Sequence, residues 1–186
     1  MKKSFTSNFA KKNKTSNLAN KITILRIILI PLFILPLVVD FKYNNIVAAV
    51  IFLFLALSDL FDGYVARKYN EVTKIGSLLD PLADKLLVSA ALIFLIGRGV
   101  DAWMAYVIIA REFIITGVRM LALMHNKVIS AKFSGKLKMV VQIIAILAVL
   151  LMIPYAYILM LIATLITLYS GVEYIWLERE LFRNSF

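Results

Sequence analysis

Six apolar stretches, at about 22–41, 45–68, 75–97, 101–124, 133–153 and 155–177, leave this chain few ways to fold. Most reach the ~20 residues that carry a helix across a bilayer. The breaks have recognisable punctuation: Lys42-Tyr-Asn-Asn45 after the first stretch, Gly97-Arg-Gly99 after the third and Pro154 after the fifth. No alternating pattern competes for strand. Hydrophobic residues make up 62% of the 186, against roughly 45–50% in a soluble domain. The expectation is an all-α integral membrane protein of six transmembrane helices. No polar linker divides it, so one domain at 21–178 is expected, between a basic juxtamembrane segment at 1–20 and a short tail at 179–186.

Lys and Arg set the orientation. Lys2, Lys3, Lys11, Lys12, Lys14 and Lys21 precede the first stretch; Arg67, Lys68 and Lys74 follow the second; Lys127, Lys132, Lys136 and Lys138 follow the fourth; Arg179 and Arg183 close the chain. Only Lys42 and Arg98 lie on the other side. By the positive-inside rule both termini are cytoplasmic, as an even number of spans requires. The formal charge of +10 suits anionic membrane lipids. No nucleic-acid partner is expected, because the charges flank spans and no recognition fold is present. The first apolar run is long enough to span and no small-residue cleavage site follows, so it does not read as a signal peptide. Without cysteine, disulfides, thiolate ligands and a Cys nucleophile are excluded.

Against this background, Asp59, Asp62, Asp80 and Asp84 stand out. An ionisable group at membrane depth is expensive and presumed functional. On helices, Asp59 and Asp62 lie at i, i+3 and Asp80 and Asp84 at i, i+4, so each pair shares a face. Unpaired, four carboxylates in one pocket repel; divalent cations would neutralise them. Oxygen-only ligands suit Mg²⁺, Mn²⁺ or Ca²⁺. Two such ions would clamp a diphosphate. Gly63, Ala66 and Gly76 allow a bulky group near the backbone, and Arg67 reaches toward a phosphate or ribose oxygen.

The spacing D-x2-D-G-x2-A-R-x8-G-x3-D-x3-D, complete from Asp59 to Asp84, resembles the signature of the CDP-alcohol phosphatidyltransferases. The resemblance implies transfer of a phosphatidyl group from CDP-diacylglycerol to an alcohol, with release of CMP. It implies two divalent metal ions, Mg²⁺ or Mn²⁺, on Asp59, Asp62, Asp80 and Asp84, with Asp84 also the general base. It places the CMP moiety on Asp59, Gly63, Ala66, Arg67 and Gly76, and implies a homodimer in the cytoplasmic membrane, its active site facing the cytoplasm.

Arg111 and Arg119, eight residues apart, lie roughly 12 Å apart along one helix on similar faces, and Lys136 and Lys138 open the next. Together with Gly135 and Gln142, and with Thr23 and Arg26 near the first helix and Lys85 after the core motif, they resemble the branch whose acceptor is sn-glycerol 3-phosphate. A phosphorylated acceptor needs such cations. Ala19 and Met139 depart from that branch's usual proline and threonine. The plainer alternative for Arg111 is an ion pair with a buried carboxylate, with Glu112 expected to point elsewhere on its helix. Lys136 and Lys138 read alternatively as positive-inside residues, Lys85 as a counter-ion for the aspartates, and Glu173 as part of a solvated C-terminal face.

A sister enzyme using inositol phosphate or serine is the alternative in the same family. A membrane prenyltransferase shares aspartate pairs and a diphosphate substrate but does not require Gly63-x-x-Ala66-Arg67. An ion transporter also explains buried aspartates, yet the chain lacks the two related, Gly/Pro-interrupted halves usual in transporters.

Overall fold

The computed structural model describes residues 25, 27–69, 85–124, 133–177 and 179, with the side chains at 59–69, 121, 123, 124 and 133 outside that description. Among the described residues there are six helices and no strand: α1 Ile27–Val38, α2 Asn44–Tyr69, α3 Lys85–Phe94, α4 Ala102–Met124, α5 Phe133–Leu150 and α6 Ala156–Leu177. Each falls within or closely matches one of the six apolar stretches. The chain groups into two compact units, Met1–Ala90 and Ala91–Phe186.

In the first unit, α1 buries Ile30, Phe33 and Leu37, spaced i, i+3 and i+7, and α2 buries Ala48, Phe52 and Leu55 with Ala49 and Ala56. These spacings make one apolar stripe per helix. Phe33 meets Phe52 in a tilted pair with centroids 5.6 Å apart, a geometry that adds about 1 kcal/mol beyond area burial. The opposite faces carry exposed Leu32, Leu35, Val50 and Phe54. Helix α2 runs unbroken for 26 residues, roughly 39 Å. Its apolar part ends at Ser58, whose hydroxyl donates back to the Phe54 carbonyl at 2.8 Å. The acidic motif begins at the next residue.

In the second unit, α6 packs against both α4 and α5. Its buried face is Met160, Ala163, Thr164, Thr167, Ser170, Gly171 and Tyr174, a heptad-like stripe dominated by small side chains that let helices approach closely. Thr164 and Thr167 donate their hydroxyls to the Met160 and Ala163 carbonyls, which satisfies those polar groups within the helix. Side-chain pairs fix the directions. Arg111 and then Arg119 on α4 meet Ser170 and then Tyr174 on α6, so these helices are parallel. Lys138 near the start of α5 meets Glu112 in the middle of α4, while Gly99 before α4 faces Val149 near the end of α5, so α5 is antiparallel.

The connections explain the punctuation. Gly97 and Gly99 take φ of 79° and 106° between α3 and α4, conformations open to glycine. Helix α5 ends with Met152 at φ 53°, the Met152 amide donating to the Val149 carbonyl and the Ile153 amide to the Ala148 carbonyl. That is the Schellman arrangement with a methionine where glycine is usual, and Pro154 follows.

By length and composition α6 is the one helix among the described residues able to cross a membrane; α1, 44–58 of α2 and α3 are shorter apolar helices. The charges Arg111, Glu112 and Arg119 interrupt α4.

Candidate active site

Asp59, Asp62, Gly63, Ala66 and Arg67 all lie on continuous helix in the last turns of α2, as the i, i+3 reading requires. Their side chains are outside the described residues, as are Gly76, Asp80, Asp84, Thr23 and Arg26 altogether. Two carboxylates one helical turn apart offer hard oxygen donors of the kind Mg²⁺ and Mn²⁺ take. The donor chemistry therefore fits the expected ions. Lys85 opens α3, half-buried.

The second unit holds a polar seam in full side-chain detail. On α4, Arg111 and Glu112 fall between the buried Ile108 and Ile115, and Arg119 follows the buried Val118. Glu112 accepts from Arg111 Nη1 at 3.1 Å and from Lys138 Nζ. The side chains of Arg111, Glu112 and Lys138 are only 10%, 12% and 9% exposed. Arg111 and Lys138 thus share the Glu112 carboxylate at a largely buried position. Arg111 Nη2 donates to Ser170 Oγ at 2.7 Å, and Arg111 Nε is buried with no hydrogen-bond partner.

Arg119 Nε donates to the Tyr174 hydroxyl at 3.3 Å, its guanidinium lying 5.5 Å from that ring's centroid. Tyr174 is itself buried with Ile115 and Val118. One turn inward from Lys138, Gln142 Nε2 donates to Thr167 Oγ1 at 2.7 Å. Arg111 and Lys138 thus turn toward the α4–α5–α6 interior, while Arg119 stays exposed on α4 and reaches across to Tyr174 of α6. Lys136 does not; it is exposed on α5.

Two expectations change. Glu112 does not point elsewhere: it lies four residues after Ile108 and three before Ile115, on the same inward face, and there it joins Arg111 to Lys138. Nor is Glu173 on a fully solvated face, for its Oε2 is buried without a partner. Ser170, Gly171 and Tyr174 meet Arg111 and Arg119 from α6, and the sequence does not single them out. Their signal lies in the small and hydroxyl-bearing positions 163, 164, 167, 170 and 171 on one face of α6.

Comparison with known proteins places the chain in a family. The family model for CDP-alcohol phosphatidyltransferase matches residues 16–169. The CDP-diacylglycerol–glycerol-3-phosphate 3-phosphatidyltransferase of Bacillus subtilis (strain 168) is 40% identical, over 91% of this chain and 98% of its own. A probable phosphatidylglycerophosphate synthase of Mycobacterium tuberculosis (strain CDC 1551 / Oshkosh) is 36% identical, over 91% and 85% respectively. A CDP-diacylglycerol–glycerol-3-phosphate 3-phosphatidyltransferase of Wigglesworthia glossinidia brevipalpis is 33% identical, over 90% and 98%. With a complete acidic motif, a buried cationic seam and a family match spanning most of its length, the chain belongs to the CDP-alcohol phosphatidyltransferase family.

Proposed function

We propose that this protein transfers the phosphatidyl group of CDP-diacylglycerol to sn-glycerol 3-phosphate, giving phosphatidylglycerol phosphate and CMP. The relatives that carry this activity in their names match the chain over nearly its whole length. The acceptor reading rests on one observation: Arg111 and Lys138 are buried together on Glu112 in a bundle whose interior is otherwise mostly apolar. Burying charge at such a position is costly unless a ligand or function requires it. A phosphorylated acceptor does require it, and serine does not.

In the transfer, an acceptor hydroxyl oxygen forms a bond to the diacylglycerol-bound phosphorus as the bond from that phosphorus to the CMP oxygen breaks. Asp84 takes the hydroxyl proton. Arg111 and Lys138 hold the acceptor phosphate from within the seam, and Arg119 and Lys136 hold it from the exposed rim. Asp59, Gly63, Ala66, Arg67 and Gly76 hold the CMP moiety. Asp59, Asp62, Asp80 and Asp84 would hold two divalent ions, Mg²⁺ or Mn²⁺, which when bound offset the diphosphate charge.

The membrane reading is supported by the surface. Exposed Ile158, Ile162, Leu165, Leu168 and Val172 cover the outer side of α6, a patch no soluble monomer carries without reason. Exposed Tyr157 and Trp176 mark its two ends, roughly 28 Å apart at 1.5 Å per residue, close to the ~30 Å hydrocarbon core. Aromatic residues favour those interfaces. We read the protein as multi-pass in the cytoplasmic membrane, working on the cytoplasmic leaflet beside anionic lipids, and the homodimer is carried over from the family resemblance.

The test is CMP release by purified protein with CDP-diacylglycerol and Mg²⁺ or Mn²⁺, across glycerol 3-phosphate, serine, myo-inositol and inositol phosphate. Release that depends on glycerol 3-phosphate is expected. Release with another acceptor alone moves the protein to a sister reaction, and no metal-dependent release with any of them refutes the transferase reading.

A further inference from the structure

Among the helical glycines whose surroundings are described, Gly171 is distinctive. A Cβ added at Gly117 or Gly135 would meet nothing within 4 Å, whereas at Gly171 it would stand 2.9 Å from Arg111 Cγ, 3.6 Å from Nε and 3.9 Å from Cδ. The Arg111 stem therefore occupies the space where any other residue's side chain would begin. The arginine lies across the backbone of α6.

Its far end is tied at two points. Nη2 donates to Ser170 Oγ and Nη1 to Glu112 Oε1. A guanidinium is planar and its donors point in fixed directions, so two tethers on the terminal nitrogens set the plane of the whole group. Of the guanidinium's other donors, Nε is buried and has no partner. A buried donor left unpaired carries a desolvation penalty that an incoming oxygen atom removes.

From this we infer that Gly171 and Ser170 are positioning residues for the phosphorylated acceptor: they seat Arg111 on α6 so that its Nε is held ready for a phosphate oxygen. The inference rests on the proposed reaction and deepens it. Neither residue touches substrate; both act through Arg111. A side chain at Gly171 displaces the stem and with it the guanidinium plane, since Cγ is too near the backbone to yield without moving Nε. Loss of the Ser170 hydroxyl frees one tether and leaves the stem in place, so its effect is smaller and of the same kind.

The experiment is steady-state kinetics of purified Gly171→Ala, Ser170→Ala, Ser170→Thr and, as a control, Gly117→Ala, with glycerol 3-phosphate and CDP-diacylglycerol varied in turn. Gly171→Ala should raise KM for glycerol 3-phosphate roughly ten- to hundredfold, leaving KM for CDP-diacylglycerol unchanged. Ser170→Ala should raise the same KM about fivefold, Ser170→Thr should restore it, and Gly117→Ala should match wild type. Inorganic phosphate, used as a competitive inhibitor, should weaken in parallel with each KM. Wild-type KM for glycerol 3-phosphate in Gly171→Ala, or equal losses for both substrates, overturns the seat. If Gly171→Ala does not yield folded protein, Ser170→Ala decides: an unchanged acceptor KM overturns the inference. Wild-type protein that releases no CMP with glycerol 3-phosphate overturns the functional reading and the seat together, a result distinct from failure of the variants alone.

Discussion

The interiors of the two units are built on different principles. Among the described residues, the first unit buries only apolar side chains, with Phe33 on Phe52 and Ala48, Ala49 and Ala56 giving room. The second buries Lys138, Gln142, Thr164, Thr167 and Ser170 beside its aliphatic residues. In the proposed bilayer setting, apolar surface gains little by turning inward, so close packing and interhelical hydrogen bonds must hold the bundle. Among its described residues, the interior of the first unit uses packing alone. The second places charge and hydroxyls inside, and several of them have partners: Glu112 for Lys138 and Arg111, Ser170 for Arg111, Thr167 for Gln142, whereas Arg111 Nε and Glu173 Oε2 have none. A packed apolar interior explains itself by stability. A charged one calls for a ligand.

Substitutions can break or sharpen this contrast. The largest effect is expected in the acidic motif that follows the first unit's dry core. Asp84→Asn should lower turnover by about 10²–10⁴-fold, with folding and nucleotide binding retained; a near-normal rate would remove its role as base. Next, Phe33→Ala should lower stability by about 3 kcal/mol, read as an earlier unfolding transition in detergent, with acceptor KM unchanged in the protein that remains folded. A shifted KM there would mean the dry core is not merely structural.

Lys138→Ala combined with Arg119→Ala should act the other way, raising acceptor KM about tenfold or more while CDP-diacylglycerol KM holds. Unchanged acceptor dependence would take both residues out of the site. The smallest effect belongs to Gln142 and Thr167. A double-mutant cycle with Gln142→Met and Thr167→Val should give a coupling of roughly 0.6 kcal/mol, the usual size for hydrogen bonds between helices in a bilayer. A coupling near zero would leave the seam's lower part as packing only.

Much of the site is legible in the sequence, and local geometry is the reason. The aspartate spacing needs only helix periodicity to put Asp59 and Asp62 on one helix, and α2 is helical through both. The contacts of Arg111 and Arg119 with one neighbouring helix, α6, likewise fit their eight-residue separation on α4. Glu112 escapes such a reading because adjacent residues on a helix point about 100° apart. The inward face of α4 is nevertheless wide enough to include both members of the pair, flanked as they are by the buried Ile108 and Ile115. Lys136 and Lys138 separate for the same geometric reason: residues two apart do not share a face, and only Lys138 is buried.

Sequence by itself determined the helical class, the place of each helix along the chain, the punctuation at Gly97, Gly99 and Pro154, and the complete acidic motif. All of these follow from local periodicity and residue chemistry. Tertiary structure alone decided that Glu112 joins Arg111 to Lys138, that Tyr174 receives Arg119, and that Gly171 makes room for the arginine stem. The hydrogen bonds from Lys138 to Glu112, Arg119 to Tyr174 and Arg111 to Ser170 join residues 26, 55 and 59 positions apart. No local rule can choose among the inward-facing partners on three helices until packing brings particular turns to the same height.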